Sequence, residues 1–242
     1  MEKIKKFFNF IIAIFFPKTC SCCGKTLCFD YKENICFECK EKLPLNNGLI
    51  CQKCSLPLID GGAMCKDCKT NKDIFFNWLL SAYIYKDNIA LLIKKFKYNK
   101  KTYLARDLSY GMIKLICEKN LKEQIDLIVP LPLHFFKKFK RGFNQAELLA
   151  REISKGINKP LYSKLLIRKK YTTPQFSLNR EERIKNLEKV FVVNKKYKNI
   201  IKNKTVLLVD DIATTCTSVN ICSKELKKVG AKKVFAVTVA RD

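Results

Sequence analysis

Two groups of residues in this chain are spaced for chemistry. One is a pair of adjacent carboxylates, Asp210 and Asp211, which follows an apolar run at 206–209 and precedes Ala213, Thr214, Thr215, Cys216, Thr217 and Ser218. Neighbouring carboxylates repel each other, so the arrangement suits a site where both accept hydrogen bonds, as from the two adjacent hydroxyls of a sugar. Small hydroxylated residues opening a helix present hydroxyls and free backbone N–H groups, an anion site that fits a phosphate. Together these features describe a pocket for a phosphorylated ribose.

The other group is eight cysteines in four CxxC pairs: Cys20 with Cys23, Cys36 with Cys39, Cys51 with Cys54, and Cys65 with Cys68. Twelve residues separate the first two pairs and ten the last two, a spacing that suits metal ligation better than a disulfide framework and points to a reducing cytoplasm. Four dithiol motifs in one loop-rich stretch exceed what thiol exchange uses. Eight thiolates make two tetrahedral zinc sites, and with every position closed by protein they are structural, leaving nothing open to activate water. Residues 18–70 hold few large apolar side chains and are expected to need the metal to fold. Whether neighbouring or alternate pairs share a zinc is open at this level. Cys22 and Cys28 are spare thiols able to compete as ligands, and Cys117, Cys216 and Cys222 are expected to be small buried side chains.

The elements that must position the acids follow from periodicity. Strands are predicted at 75–85, 125–132, 204–211 and 232–240, and helices at 87–100, 103–119, 144–157 and 218–231. Gly230 is the expected stop of the last helix. Strands separated by helices imply an α/β fold with a parallel sheet covered on both faces, in which ligands bind beyond the carboxyl ends of the strands. That is where Asp210 and Asp211 fall. The chain divides into an apolar helix at 1–17, a double zinc ribbon at 18–73 and an α/β domain at 74–242. The run at 7–16 is too short to cross a bilayer, which takes about 20 residues, and it is expected to pack on the protein, with weak membrane-surface association as the alternative.

The formal charge is +26, from 48 Lys and Arg against 22 Asp and Glu, and only seven of the 48 are arginines. Such a balance attracts polyanions, although a lysine-rich composition also produces a merely solvated surface. Lys94, Lys95, Lys97, Lys100 and Lys101, interleaved with Phe96 and Tyr98 and followed by Tyr103, form a stretch that suits single-stranded DNA. The aromatics have a second reading as helix core. Lys164, Arg168, Lys169 and Lys170 make a second basic patch. No base-reading motif occurs, so binding is expected to ignore sequence and to weaken with salt.

The stretch VLLVDDIATTCTS at 206–218 resembles the 5-phosphoribosyl-1-pyrophosphate (PRPP) motif of type I phosphoribosyltransferases, with Cys216 where that motif has glycine. With VPLPLHFFKKFKRGFNQAELLA, YTTPQFSLNREERIKN and the preceding cysteine pairs, nearly the whole chain resembles the ComF family of competence proteins, also described as amidophosphoribosyltransferase-like. The resemblance implies a type I phosphoribosyltransferase-like domain behind a double zinc ribbon. It also implies a cytoplasmic role in DNA uptake and recombination during natural transformation, alongside a helicase-like partner. In its terms Pro132, Leu133, Lys137, Lys138 and Arg141 form the pyrophosphate loop, with Lys140 a plain surface charge. Thr172, Thr173, Gln175, Arg183 and Asn186 belong to a mobile hood. Magnesium enters with PRPP, held mainly by pyrophosphate and ribose oxygens, with Asp211 the candidate to touch its shell. His134, the only histidine, is as well placed for a pocket wall as for a general base. The sequence thus predicts a protein that binds a phosphoribosyl ligand and single-stranded DNA. The alternative is an active Mg2+-dependent transferase with an unknown acceptor; a zinc hydrolase is disfavoured because the cysteines close both metal sites.

Overall fold

A computed structural model describes residues 17–28, 30–59, 61–133, 139–169 and 190–242. The helix expected at 1–17 lies outside them except for Pro17. Six strands are described: β1 (Trp78–Ile84), β2 (Leu127–Pro130), β3 (Leu166–Arg168), β4 (Phe191–Val193), β5 (Thr205–Ala213) and β6 (Lys233–Arg241). The helices are α1 (Phe37–Glu41), α2 (Lys66–Thr70), α3 (Asp87–Tyr98), α4 (Leu104–Glu118), α5 (Gln145–Ile157), α6 (Lys198–Ile201) and α7 (Thr217–Lys228). Four strands form one parallel sheet in the order β1-β6-β5-β2, while β3 and β4 pair antiparallel.

The inner stretches of the central strands, 206–209 and 234–237, are apolar because both faces are covered. On β5, Leu207 and Val209 pack with Ile93 and Phe96 of α3, Leu108 and Met112 of α4 and Leu149 and Ile153 of α5. Val206 and Leu208 point the other way, into a layer that includes Val219, Cys222 and Leu226 of α7. Alternation with a period of two is what assigns successive residues to opposite layers.

The strand carrying the acids runs further than expected. β6 continues to Arg241, and its pairing with β5 continues through Asp210 opposite Thr238 to Ala213 opposite Arg241. On the other side β2 stops at Pro130, opposite Val209; Leu131 N–H still reaches the Val209 carbonyl at 2.9 Å. From Asp210 onward β5 is paired, among the described residues, on the β6 side only, which leaves the edge where the acids sit without a second strand there.

The cysteine-rich segment is docked on this sheet. Asn46 N–H donates to Ala82 O at 3.0 Å and Ile84 N–H to Pro44 O at 2.8 Å, so the link between the two ribbons lies along β1. Asn46 Nδ2 and Ser55 Oγ then bond to the carbonyls of Ser55 and Leu79, respectively. These bonds cap an edge strand that would otherwise offer unpaired backbone groups.

Candidate functional site

The cysteines form two sets of four, Cys20, Cys23, Cys36 and Cys39, and Cys51, Cys54, Cys65 and Cys68, with all Sγ atoms in a set within 4.8 Å of one another. Neighbouring pairs therefore share a site, which resolves the pairing left open by the sequence. Cys23 and Cys36 Sγ lie 3.8 Å apart, as do Cys54 and Cys65 Sγ. That separation is about the edge of a tetrahedron around an ion with Zn–S bonds of about 2.3 Å. The first pair in each set sits in a tight turn whose next residue has positive φ, Gly24 at 79° and Ser55 at 57°. The second pair begins a short helix, with Cys36 and Cys65 as the N-caps of α1 and α2. Cys20 Sγ accepts the N–H groups of Cys22 and Cys36 at 3.4 and 3.2 Å, the bonds a thiolate ligand needs. Both tetrads thus fit structural zinc. Cys22 and Cys28 lie outside them, and Cys117 is exposed near the end of α4 rather than buried, whereas Cys222 is buried as expected.

The two acids are held differently. Asp210 Oδ1 accepts the backbone N–H of Asp211 at 2.8 Å. Burial, reinforced by the Asp211 charge beside it, pushes the Asp210 carboxyl up from 3.8 to about 7. Asp211 Oδ2 lies 3.1 Å from Lys97 Nζ, and the two side chains are 12% and 17% exposed. Asp211, the candidate contact for a magnesium shell, thus already has a cation, and the acid pair does not fit direct ligation of a divalent ion.

Beyond Ala213 the chain turns into α7. Thr214, Thr215 and Ser218 are exposed, and the hydroxyls of Thr215 and Thr217 are 2.8 Å apart. The first turn of α7 points its unpaired N–H groups the same way. Cys216 adopts the left-handed conformation, φ 57° and ψ 6°, that favours the glycine of the resembling motif. Cys216 packs in the same cluster as Cys54, and the interaction of the two thiols lowers the Cys54 thiol to about 4 and raises that of Cys216 well above the usual range. The hydroxylated loop and the second cysteine tetrad therefore lie side by side.

Arg241 fastens the same junction. It is 5% exposed. Its Nε donates to Cys54 O at 3.1 Å and its Nη1 to Ala213 O at 2.8 Å, with further bonds from Nη1 to the carbonyls of Thr214 and Asp242. Nη2 lies 3.9 Å from Cys54 Sγ.

After β2, Leu131 is buried and Pro132 and Leu133 are half-buried. His134, Lys137 and Lys138 lie outside the described residues, as do Thr172, Thr173, Gln175, Arg183 and Asn186 between β3 and β4. Arg141 lies over the Tyr98 ring, 4.9 Å from its centroid, and donates to its hydroxyl at 3.3 Å. Asn144 caps α5 by accepting Ala146 N–H and donates to Leu131 O at 3.0 Å, pinning the loop to the helix.

The five lysines at 94–101 separate. Lys94 and Lys100 are exposed and Lys101 is half-buried. Lys95 Nζ bonds Ser21 O at 2.7 Å, tying α3 to the first metal site, and Lys97 is at Asp211. Phe96 is a core residue, whereas Tyr98 and Tyr103 are 66% and 48% exposed. Of the second patch, Lys164 and Lys169 are exposed, Arg168 stacks on Phe191, and Lys170 is not among the described residues.

Three of these roles are missed by reading the sequence. Lys97 follows the buried Ile89 and Ile93 at four-residue steps, so it falls on the edge of the apolar stripe of α3 and needs a buried partner. Arg241 ends a continuous apolar strand, which is the same kind of signal. Asn144 stands at an ordinary N-cap position, and nothing in the sequence reveals its second bond.

Comparison with known proteins follows this geometry. The family model for the double zinc ribbon domain matches residues 11–69, and that for the phosphoribosyl transferase domain matches residues 129–242. The chain is 27% identical over 213 residues to Competence protein F of Haemophilus influenzae, covering 87% of this chain and 91% of the relative. It is 26% identical over 219 residues to Competence protein ComFC of Bacillus subtilis, covering 86% and 85%. It is 25% identical over 221 residues to DNA utilization protein YhgH of Escherichia coli O157:H7, covering 90% and 94%.

Proposed function

From a chain that joins a double zinc ribbon to a phosphoribosyltransferase domain, with homologues named Competence protein F, ComFC and YhgH along most of its length, we propose a role in the use of incoming DNA. In this reading the protein binds a phosphoribosyl compound such as PRPP and, separately, single-stranded DNA without sequence preference, in the cytoplasm. The observation that carries it is the end of β5, where Asp210 and Asp211 stand beside an exposed run of hydroxyls at the start of α7. The acids meet the ribose diol and the loop meets the 5-phosphate. Magnesium enters with the pyrophosphate of the ligand, on that group's own oxygens. The remaining pyrophosphate-loop residues, the hood and a helicase-like partner belong to the same proposal.

The DNA surface falls to Lys94, Lys100, Tyr98 and Tyr103, which combine exposed charge with rings able to stack on bases. The structural zincs hold the fold and take no part in reaction.

Calorimetric titration of PRPP with Mg2+ into zinc-replete protein tests the pocket. Saturable binding that weakens in Asp210→Ala supports it, and absence of heat at every concentration refutes it. Pyrophosphate release that requires a nucleobase and disappears in Asp210→Ala moves the reading to a transferase.

A further inference from the structure

The acid pair has a cation supplied by the chain itself. Lys97 is carried on α3 next to the buried Ile93 and Phe96, and its stem passes out of the core to place Nζ 3.1 Å from Asp211 Oδ2. With 17% and 12% of the side chains exposed, this pair is drier than any other lysine–carboxylate pair among the described residues, several of which are more than half exposed on at least one side. Taking two charges out of water is costly, and the cost is offset only where geometry and further hydrogen bonds are good. The same ammonium also acts on Asp210 by its charge.

Resting on the phosphoribosyl reading, we propose that Lys97 is the resident counter-cation of the diol site. It stands at Asp211 where a divalent ion would otherwise neutralise the acid pair. The pocket then holds a 5-phosphorylated ribose that lacks pyrophosphate, such as ribose 5-phosphate, without added metal. An ammonium has three donors, and one is spent on Asp211. The other two are free to meet ribose hydroxyl oxygens while the carboxylates accept the hydroxyl hydrogens, so the diol meets donors and acceptors together. The 5-phosphate meets the N–H groups and hydroxyls that open α7. Neither contact calls for a divalent ion. PRPP differs because its pyrophosphate brings additional charge that needs one.

Ribose 5-phosphate is titrated calorimetrically into zinc-replete full-length protein in magnesium-free buffer and again with Mg2+ added, beside PRPP with Mg2+. The expected result is a wild-type affinity for ribose 5-phosphate that Mg2+ leaves unchanged within about twofold. In Lys97→Ala affinity falls about tenfold or more without Mg2+, the scale of a lost hydrogen bond to a charged group, and recovers in part when Mg2+ is supplied. The double variant Lys97→Met/Asp211→Asn keeps the site uncharged there, so its weakened binding gains nothing from Mg2+. If Lys97→Ala does not fold, the wild-type comparison decides alone. Wild-type binding of ribose 5-phosphate that requires Mg2+, or a folded Lys97→Ala that binds normally, overturns the proposal. PRPP binding without any ribose 5-phosphate binding overturns it too and leaves the phosphoribosyl reading standing, whereas failure of both ligands removes both.

Discussion

Asp210 is an acid that the folded chain keeps from ionising. Between its ordinary 3.8 and about 7, the unfolded chain has released a proton that the native chain still holds. Stability therefore falls as pH rises through that window and levels off above it. Asp210→Asn lacks this dependence, so denaturant unfolding at a series of pH values should show wild type losing ground to the variant from about pH 4 to about pH 7 and no further change beyond. Arg241 gives a second expectation. Its guanidinium serves the carbonyls of Cys54, Ala213 and Thr214, and Arg241→Ala removes that donor from all three, leaving Ala213 O with only the Asp242 N–H, at a cost of roughly 3 kcal/mol in unfolding experiments. Cys216 holds a left-handed φ that costs an L-residue roughly 1–2 kcal/mol, while glycine there carries more unfolded-state freedom, worth roughly 0.5–1 kcal/mol. The two nearly cancel. Cys216→Gly should change stability little while giving the loop backbone more room, so affinity for a sugar phosphate rises in calorimetry.

At the scale of elements, the metal sites are parts of the sheet's support. The first is tied to the helical layer, with Asn34 donating through its N–H and side chain to Asp107 at 2.9 and 2.8 Å and Lys95 reaching Ser21. The second meets the hydroxylated loop through Cys54, Cys216 and Arg241. Cys36→Ser and Cys65→Ser should both lower the melting temperature, by about 10 °C or more if a zinc is lost. Only the second should also weaken sugar-phosphate binding at a temperature where each variant is folded. Equal loss of binding in both variants would show that the loop senses general stability and not its own neighbour.

At the scale of the molecule, counting each zinc tetrathiolate as two negative charges brings the formal total from +26 to +22. That surplus governs long-range attraction to polyanions and leaves base sequence unread. If about five phosphates of a single strand are neutralised, affinity falls roughly a hundredfold between about 50 and 200 mM salt. Fluorescence anisotropy with strands of different sequence should give one common slope. Tyr98→Ala/Tyr103→Ala should weaken binding by roughly 1–3 kcal/mol per stacked base with that slope unchanged.

The order of the main strands and helices in the α/β domain was legible from the chain alone, because buried parallel strands have apolar cores and their helices carry one apolar stripe; each of the four strands and four helices predicted fell within a few residues of its place, whereas α6 was not foreseen. Nor were β3 and β4, since three residues make no period. The metal ligands were legible as well, because CxxC spacing is a local property of a turn. Which pairs share an ion was decided by how the two ribbons pack. The tandem acids and the hydroxylated loop are contiguous in sequence, so their chemistry could be read there, but their surroundings come from elsewhere in the chain, Lys97 and Cys54 more than a hundred positions earlier and Arg241 28 positions after Ala213. Lys97 belongs to a helix that reads as a basic stretch for DNA, and only the packing of α3 against the sheet brings it to Asp211. Arg241, at the far end of the chain, reaches Cys54 because β6 lies between β1 and β5. Local chemistry is written in neighbouring residues, whereas the partner of a buried charge is chosen by whichever elements the core draws together.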